Sequence, residues 1–366
     1  MVLSIPESDS LEVTAMSDIN TSVVTEDSSK KPLDRSKFVF VNNTDEVIDT
    51  VVRPSFTFWQ DVRIRLKQNK MAMVSICIIL IIAATAVLAP FFCKYRFDEQ
   101  MEPMRTYLKL PPRIPIIEKL GICDGTDSKG VNVYEERGLT DEYFFFGTDD
   151  LARDQWARTW YGVRISIYIG LLAAAINLFI GVTYGGIAGY YGGQVDSLMM
   201  RFSEILGSLP DLVVMILFLL VFKPGIVTMS MAMTLTSWIS MARVTRGQVL
   251  KIKNQEYVMV ARTLGAKPWQ IITKHMFPNI LPTVVVAITF NIPNAIFYEA
   301  FLAFIGLGLP APAASLGVLI NDGYTLLRTY PYLMIYPTVV LSLLMLCLNL
   351  LANGLRDAID PTMRDK

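Results

Sequence analysis

Few side chains in this 366-residue sequence have the types and spacing that catalysis or metal binding requires. His275 is the only histidine and no cysteine pair lies near it, so we expect no metal site. The acidic segment GTDDLARD at 147–154 lacks the glycine and glutamate spacing of a calcium loop. No G-x-x-x-x-G-K-[ST] phosphate loop occurs, so nucleotide hydrolysis is not expected from this chain. The sequence predicts a protein without catalytic residues, without a cofactor of its own and without enzymatic activity.

Apolar residues make up 52% of the sequence and are concentrated in long segments. Six of them are near the length that crosses a hydrocarbon core of about 30 Å: 71–93, 163–190, 203–222, 226–243, 282–305 and 332–352. We therefore predict an all-α membrane protein with about six transmembrane helices. The fourth segment is rich in Ser, Thr and Met, follows a tight turn at 223–225, and suits a surface that faces other helices or a water-filled path.

Ionisable residues are few within these segments. Glu204 and Asp211 lie in the first half of the third segment, and Glu299 lies about 25 Å from the start of the fifth, near its outer end. We therefore expect no proton relay through the bilayer centre. Pro210 and Pro293 predict broken or kinked helices, which are common beside transport cavities.

Lysine and arginine residues in the short loops predict the orientation. The loops that hold them are expected in the cytoplasm, and their basic residues are Arg63, Arg65, Lys67, Lys70, Arg201, Arg243, Arg246, Lys251, Lys253, Arg262, Lys267 and Lys274. With six spans, both termini are then cytoplasmic. The formal net charge of zero gives no basis for binding nucleic acid, and the predicted surroundings are membrane lipid.

These predictions divide the chain into five parts. Residues 1–57 form a disordered cytoplasmic tail, because their Ser, Thr, Asp and Glu content buries too little apolar surface to fold. An interfacial segment and first transmembrane helix (58–93), an extracellular loop (94–158), a transmembrane core (159–356) and a cytoplasmic C-terminus (357–366) follow. Within the extracellular loop, PPRIPIIEKLGICDG is either a solvated spacer or an added contact for an extracellular protein. Cys93 and Cys123 are predicted on the outer side, where oxidation can occur. The sequence does not decide between a disulfide that joins them and two free thiols.

A polar helix-turn-helix at 247–280 lies between the fourth and fifth spans. The first helix is expected to place four residues on one face: Tyr257, Val260, Ala261 and Leu264. Gly265 ends this helix in a left-handed turn, Pro268 opens a second helix, and Pro278 ends it. The second helix carries Trp269, Ile272 and Met276 at helical spacing. Two such helices at a membrane surface can dock into a groove of a soluble partner, or rest on lipid as an ordinary loop.

Five stretches resemble the membrane permease subunits of binding-protein-dependent ABC importers, in the oligopeptide, dipeptide and nickel branch. They are FGTDDLARDQWARTWYGVRISIYIG, GGQVDSLMMRFSEIL, ARVTRGQVLKIKNQEYVMVARTLGAK, FYEAFLAFIGLGLPAPAASLG and NGLRDAIDP. The resemblance covers 56–364 and is closest to the C-type oligopeptide permease subunit. It implies a type I importer fold in a bacterial plasma membrane, with 247–280 as a cytoplasmic coupling helix-turn-helix between spans 4 and 5. Ala152 departs from the family, which commonly has glycine at that place.

The family's loop signature reads E-A-A, three residues, G, nine residues, I-x-L-P. Met259, Val260 and Ala261 occupy the E-A-A places here, so the acid is missing, and Glu256 offers one a turn earlier. The resemblance implies that seven residues couple the loop to an ATPase: Glu256, Ala261, Gly265, Ala266, His275, Phe277 and Pro278.

Alternating access is the mechanism that the resemblance implies. An extracellular peptide-binding protein delivers a peptide to a heterodimer of this chain and a homologous second permease. Two cytosolic ABC ATPase subunits, which bind ATP and magnesium, move the loop by docking differently in their two states. No substrate-binding residue is identified. The alternative is a nucleotide-independent channel or secondary carrier for small solutes, in which the loop at 247–280 needs no partner.

Overall fold

A computed structural model describes residues 57–115, 118–121, 123–127 and 130–359. Within these ranges the chain is helical and holds no strand, only isolated bridges at Arg113–Asp124, Thr126–Asn132 and Thr148–Asp154. The predicted disordered tail lies outside the described residues except for its last position. Most of the predicted C-terminal part also lies outside them.

Thirteen α-helices are present in the described ranges. They are α1 Phe58–Gln68, α2 Lys70–Phe92, α3 Met104–Tyr107, α4 Val133–Glu136, α5 Gln155–Tyr191, α6 Gly193–Gly207, α7 Asp211–Val221, α8 Ile226–Ile252, α9 Glu256–Thr263, α10 Pro268–Gln270, α11 Phe277–Leu302, α12 Leu316–Thr325 and α13 Tyr332–Ile359. A 3₁₀ turn occupies Glu118–Leu120, and π-helical turns occupy Ile271–Met276 and Ala303–Leu307.

Helix α5 lies at the centre of the fold. Its 37 residues extend over about 55 Å and pack against α2, α8 and α11. Gly181, Gly185 and Gly189 face α8, and a Cβ atom on Gly185 would lie 2.2 Å from the carbonyl oxygen of Ala242. Because only glycine allows this approach, the backbones of α5 and α8 are in direct contact along this stretch.

Two buried clusters attach the remaining long helices to α5. One joins α5 to α7, α8 and α11 through residues that include Ile169, Met215, Met229 and Leu302. The other joins α5 to α2, α11, α12 and α13 through residues that include Ile82, Trp160, Ile296, Leu316 and Leu344. Each long helix therefore buries one face against its neighbours and leaves apolar residues exposed on the other, as a membrane protein requires.

Four described helical segments are long and apolar enough to cross a membrane: Lys70–Phe92, Gln155–Tyr191, Pro268–Leu307 and Tyr332–Ile359. The bent pair α6 and α7 makes a fifth if the two helices form one span. Helix α8 has 27 residues but is not in this group, since Ser, Thr and basic residues lower its hydropathy. The count of six spans therefore stays a prediction.

The third predicted span, 203–222, is wrong as a single helix. Helices α6 and α7 meet at an angle of 78°, and Pro210 precedes α7 with an extended backbone. Proline disfavours helical geometry in the residue before it and donates no backbone hydrogen bond, so α6 ends ahead of this position. Pro293, by contrast, lies within the continuous helix α11.

The region before α5 is packed rather than extended. Met101, Leu110, Val133, Tyr134, Leu139 and Phe144 form a buried cluster. The guanidinium group of Arg113 lies 4.5 Å from the ring centre of Tyr143, and the Tyr134 hydroxyl donates to the carbonyl of Pro111 at 2.8 Å. Pro111 and Arg113 therefore contact this cluster or its neighbours, and whether 111–125 is a spacer or an added contact stays a prediction.

Two smaller expectations for this region are also resolved. Cys93 and Cys123 are free thiols, and the Cys123 sulfur lies 3.4 Å from the Tyr336 hydroxyl. Ala152 adopts a φ of 54°, the left-handed conformation in which glycine is favoured. Asp149 holds this turn, because its Oδ1 accepts hydrogen bonds from the backbone N–H groups of Leu151 and Arg153.

Candidate coupling site

The turn between the two loop helices has the geometry of a Schellman motif. Helix α9 ends at Thr263, and Gly265 follows with a φ of 81°. The N–H of Ala266 donates to the carbonyl of Ala261 at 3.1 Å, and the N–H of Gly265 donates to that of Arg262 at 3.0 Å. These are the two bonds that define the motif, and they confirm the predicted left-handed turn at Gly265.

The second loop helix begins as predicted but does not end as predicted. Pro268 is the first residue of α10, and the N–H of Lys267 is capped by the Gln270 side chain at 3.0 Å. Beyond it, the π-helical turns lead directly into α11, so the end predicted at Pro278 is wrong. Pro278 lies inside this continuous helical segment and not at its end.

The inner side of the loop is anchored in a buried cluster. Val258 of α9, together with Ile271 and Met276 of the π-helical turns, packs against Tyr190 of α5 and Val249 of α8. Further members from α8 and α11 are Met241, Ile280 and Val284. The loop therefore contacts three long helices at once, and a displacement of the loop would move all three.

The outer side of the loop exposes large apolar side chains. Leu264 is 82% exposed and Trp269 is 66% exposed, and Tyr257 and Val260 of α9 are exposed beside them. Ala261 was expected on this face but is buried beside Val258, so three of the four predicted residues share the exposed face. Exposed leucine and tryptophan at a turn are typical of a surface that another protein covers.

The remaining predicted site residues lie around this surface. Glu256 is exposed in the first turn of α9, where a carboxylate is favoured by the helix dipole. Ala266 and Phe277 are half-buried and pack against the inner cluster. His275 is half-buried and its carbonyl accepts from the Asn279 side chain at 2.6 Å, whereas Pro278 is exposed. The structure thus brings Ala261, Gly265 and Ala266 together at the turn, leaves Glu256 at the opposite end of α9, and sets the other three on the path into α11.

Polar contacts that fix the base of the loop were not predicted. Asp196 of α6 forms a two-pronged ion pair with Arg246 of α8, with its Oδ2 accepting from Nη2 at 2.6 Å. The Lys253 ammonium donates to the carbonyl of Gly189 at 3.4 Å, and the Arg262 guanidinium lies 5.6 Å from the ring centre of Tyr190. From the sequence, Arg246 and Lys253 indicate only the orientation of the chain. Asp196, the acidic residue within GGQVDSL, is the sequence feature that could have indicated an ion-pair partner for Arg246.

Catalytic chemistry does not emerge from the described residues. No group of three or more His, Cys, Asp or Glu side chains in them could hold a metal ion. The features that stand out are an apolar outer surface and a firmly anchored inner surface, which suit the transfer of motion between a soluble protein and the membrane helices.

Comparison with known proteins identifies the class. The model of the binding-protein-dependent transport system inner membrane component family matches residues 181–365, and that of the N-terminal transmembrane domain of oligopeptide transport permease C matches 57–112. The chain belongs to this family of importer permeases.

Two relatives from Bacillus subtilis (strain 168) cover most of the chain. The dipeptide transport system permease protein DppC is 42% identical over 89% of this chain and 93% of its own length. The oligopeptide transport system permease protein OppC is 40% identical over 86% of this chain and 93% of its own length. A solved inward-facing structure of the MetNI methionine ABC transporter is 18% identical, covers 54% of this chain and 94% of that chain, and has a TM-score of 0.45.

Proposed function

We propose that this chain is one transmembrane subunit of an ATP-driven peptide importer. It forms half of the translocation pathway and contributes no catalytic residue. Membership of the permease family supports this proposal. The names of two relatives support it too: one, 42% identical, is named for dipeptide transport, and the other, 40% identical, for oligopeptide transport. Oligopeptides are the proposed substrate class.

The coupling loop carries the proposal. Its outer surface, Tyr257, Val260, Leu264 and Trp269, is the proposed contact for a cytosolic ATPase subunit. Its inner surface packs on α5, α8 and α11. If the ATPase groove accepts the loop in different positions before and after nucleotide closure, the difference in docking free energy moves these three helices. Glu256 supplies an acid at the rim of the contact.

The proposed assembly contains this chain, a homologous second permease, two cytosolic ATPase subunits that bind ATP and magnesium, and an extracellular peptide-binding protein. In this arrangement the loop and both termini are cytoplasmic, and the packed region before α5 is extracellular. The binding protein is proposed to contact that packed region.

Purification of the chain from mild detergent tests the proposal. A second permease and two ATPases should accompany it, and proteoliposomes holding the complex should take up peptide when ATP and loaded binding protein are present. Uptake driven by an ion gradient without ATP would favour the channel or carrier alternative instead.

A pair of matched variants tests the docking surface. Leu264→Ser should reduce the ATPase recovered with the chain, since it removes an apolar side chain that is 82% exposed at the turn. Val131→Ser changes an exposed apolar residue in the packed region before α5, and should leave recovery unchanged. Equal recovery from both variants would remove the role given to this surface.

A further inference from the structure

A cavity of about 330 Å³ lies where helix α2 ends and helix α5 begins. The segment 94–97, which follows α2, completes its walls. The lining contains three cationic side chains, Lys94, Arg96 and Arg164, and no acidic side chain of the described residues. It also contains the rings of Phe97 and Tyr161, which stack with their centres 3.6 Å apart. A cavity of this size is at the smaller end of those that hold small ligands.

The cavity lies at the level where the apolar part of α2 ends. Phe91 is 80% exposed and Phe92 is 83% exposed, and Lys94 is the next charged residue of the chain. Exposed aromatic side chains at the end of a membrane helix are typical of the layer where hydrocarbon meets the lipid headgroups. In the proposed orientation this is the outer boundary of the membrane, so the cavity is expected among the headgroups.

Arg164 is the cation of this cavity that lacks an acidic partner in the described part of the chain. It is half-buried, and its guanidinium carbon lies 5.2 Å from the ring centre of Tyr161. Its Nε atom is enclosed, but its two terminal nitrogens are not, and no described residue accepts a hydrogen bond from them. These two terminal groups are therefore donors that a ligand in the cavity can reach.

The other two cations add to the preference for an anion. Lys94 pairs with Glu142. Arg96 pairs with Asp98 at 3.2 Å. Both cations are exposed and neither acid lines the cavity, and exposed ion pairs of this kind are weak. A phosphate group suits the two terminal donors of Arg164, because arginine binds phosphate oxygens with parallel hydrogen bonds.

An exposed apolar surface continues from the cavity along both helices. On α5, Tyr168 and Leu171 follow Arg164 at helical spacing and are exposed. On α2, Val87 precedes Pro90 by three residues and is exposed as well. A phosphate ion in solution gains nothing from such a surface, whereas the acyl chains of a phospholipid can lie against it. The surface therefore favours a lipid over a soluble anion.

We propose that this cavity binds the headgroup of an anionic phospholipid, with the phosphate on Arg164 and the acyl chains along the exposed faces of α2 and α5. An anionic headgroup is preferred over a zwitterionic one, because an added ammonium group would meet three cations and no acid in the lining. The lipid site goes beyond the proposed function and does not depend on which substrate crosses the membrane.

Native mass spectrometry tests the proposal on the full chain, purified with the subunits that accompany it. Dioleoylphosphatidylglycerol is titrated into the delipidated complex in detergent, and the lipids bound to each complex are counted. Arg164→Gln should raise the apparent Kd of the tightest-bound lipid about tenfold, as expected when a charged hydrogen-bond partner is lost. Arg164→Lys keeps the charge but not the planar fork, and should weaken binding less.

A matched variant separates the cavity from general attraction between lipid and positive charge. Arg328→Gln removes an exposed arginine that follows helix α12 and does not line the cavity, so it should bind the lipid as the wild type does. Equal affinity in Arg164→Gln and Arg328→Gln would overturn the proposal. Loss of the second permease from Arg164→Gln, with lipid binding unchanged, would also overturn it, because a protein would then cover the cavity.

Competitors identify the source of the phosphate group. Dioleoylphosphatidylcholine should bind the wild type about fivefold more weakly, and millimolar inorganic phosphate should not displace the anionic lipid. Equal binding of the two lipids would refute the charge argument, and displacement by inorganic phosphate would indicate a site for a soluble anion instead. Should Arg164→Gln not accumulate in the membrane, Arg96→Gln decides: it changes an exposed side chain and should weaken binding of the anionic lipid about twofold, and unchanged binding would refute the site. Peptide uptake is measured separately, so failure of the lipid site leaves the proposed function intact.

Discussion

Replacement of Gly265 by valine places a defined strain in the coupling turn. The φ of 81° at this position is unfavourable for a β-branched residue by about 1–2 kcal/mol. No atom lies within 4 Å of the Cβ position, so the cost is backbone strain and not a collision. Escape to another conformation would break the two hydrogen bonds of the Schellman motif, each worth about 0.5–1.5 kcal/mol. Either way, the ratio of loops with the native turn to loops without it should fall about five- to thirty-fold.

The consequence should appear in coupling and not in insertion. Gly265→Val is expected to reach the membrane and to bind the second permease, because the turn lies outside the buried helix contacts. The changed direction of α10 should spoil the fit to the ATPase. ATP turnover in proteoliposomes should then no longer respond to loaded binding protein, and peptide uptake should fall at least fivefold. The measurement is a paired assay of phosphate release and labelled-peptide uptake.

Two further variants show whether conformation is the cause. Gly247→Val adds the same side chain at a glycine of α8 that has helical geometry and no atom within 4 Å of its Cβ position, so it should retain coupling. Gly265→Asn should retain more activity than Gly265→Val, since asparagine tolerates the left-handed region. Full ATP-driven uptake by Gly265→Val, with peptide-stimulated turnover intact, would refute the coupling role of this turn.

Three other outcomes are expected. In a chain without its native cysteines, an impermeant thiol reagent added to intact cells should label Asp141→Cys and not Asn254→Cys; the reverse would invert the proposed orientation. Burial raises the pKa of Asp154 from 3.8 to about 7, so its contribution to stability is complete below about pH 4 and is lost as pH rises through 7. The melting temperature should therefore fall more between pH 5 and 8 in the wild type than in Asp154→Asn, and parallel curves would contradict this. Asp196→Asn should cost about 1–3 kcal/mol by weakening the contact with Arg246, and an unchanged melting temperature would argue against it.

Features with a local cause were predictable from the sequence. The long helices follow from apolar composition over span-length segments, and the turn at Gly265 follows from a glycine at the end of a helix. Pro268 opens its helix for an equally local reason, since its fixed φ suits the first helical position. These signals need no knowledge of what packs against them.

Features that depend on packing were not predictable in the same way. Helical periodicity could not decide which side of α9 is buried, the side that carries Val258 and Ala261 or the opposite one. The residues that cover α9 come from α5 and α8, which are distant in the sequence. The π-helical turns before α11 bury Ile271 and Met276 in a cluster that α5, α8 and α11 also form, and the helix continues past Pro278. Arg158 lies within a stretch that resembles the family, and only the structure shows that its side chain is buried between Asp149 and Asp322.

Helix α5 joins the coupling loop to the opposite end of the fold. Arg158 is near the start of α5 and Tyr190, which packs in the inner cluster of the coupling loop, is near its end, so about 48 Å of continuous helix separates them. The glycine contacts with α8 hold the backbones of the two helices in close contact along this stretch. A movement imposed on the loop is therefore expected to displace α5 and α8 as a unit and to move the opposite ends of both helices. Coupling of this kind needs no chain of side-chain contacts through the membrane, because a packed helix pair transmits a rigid-body displacement directly.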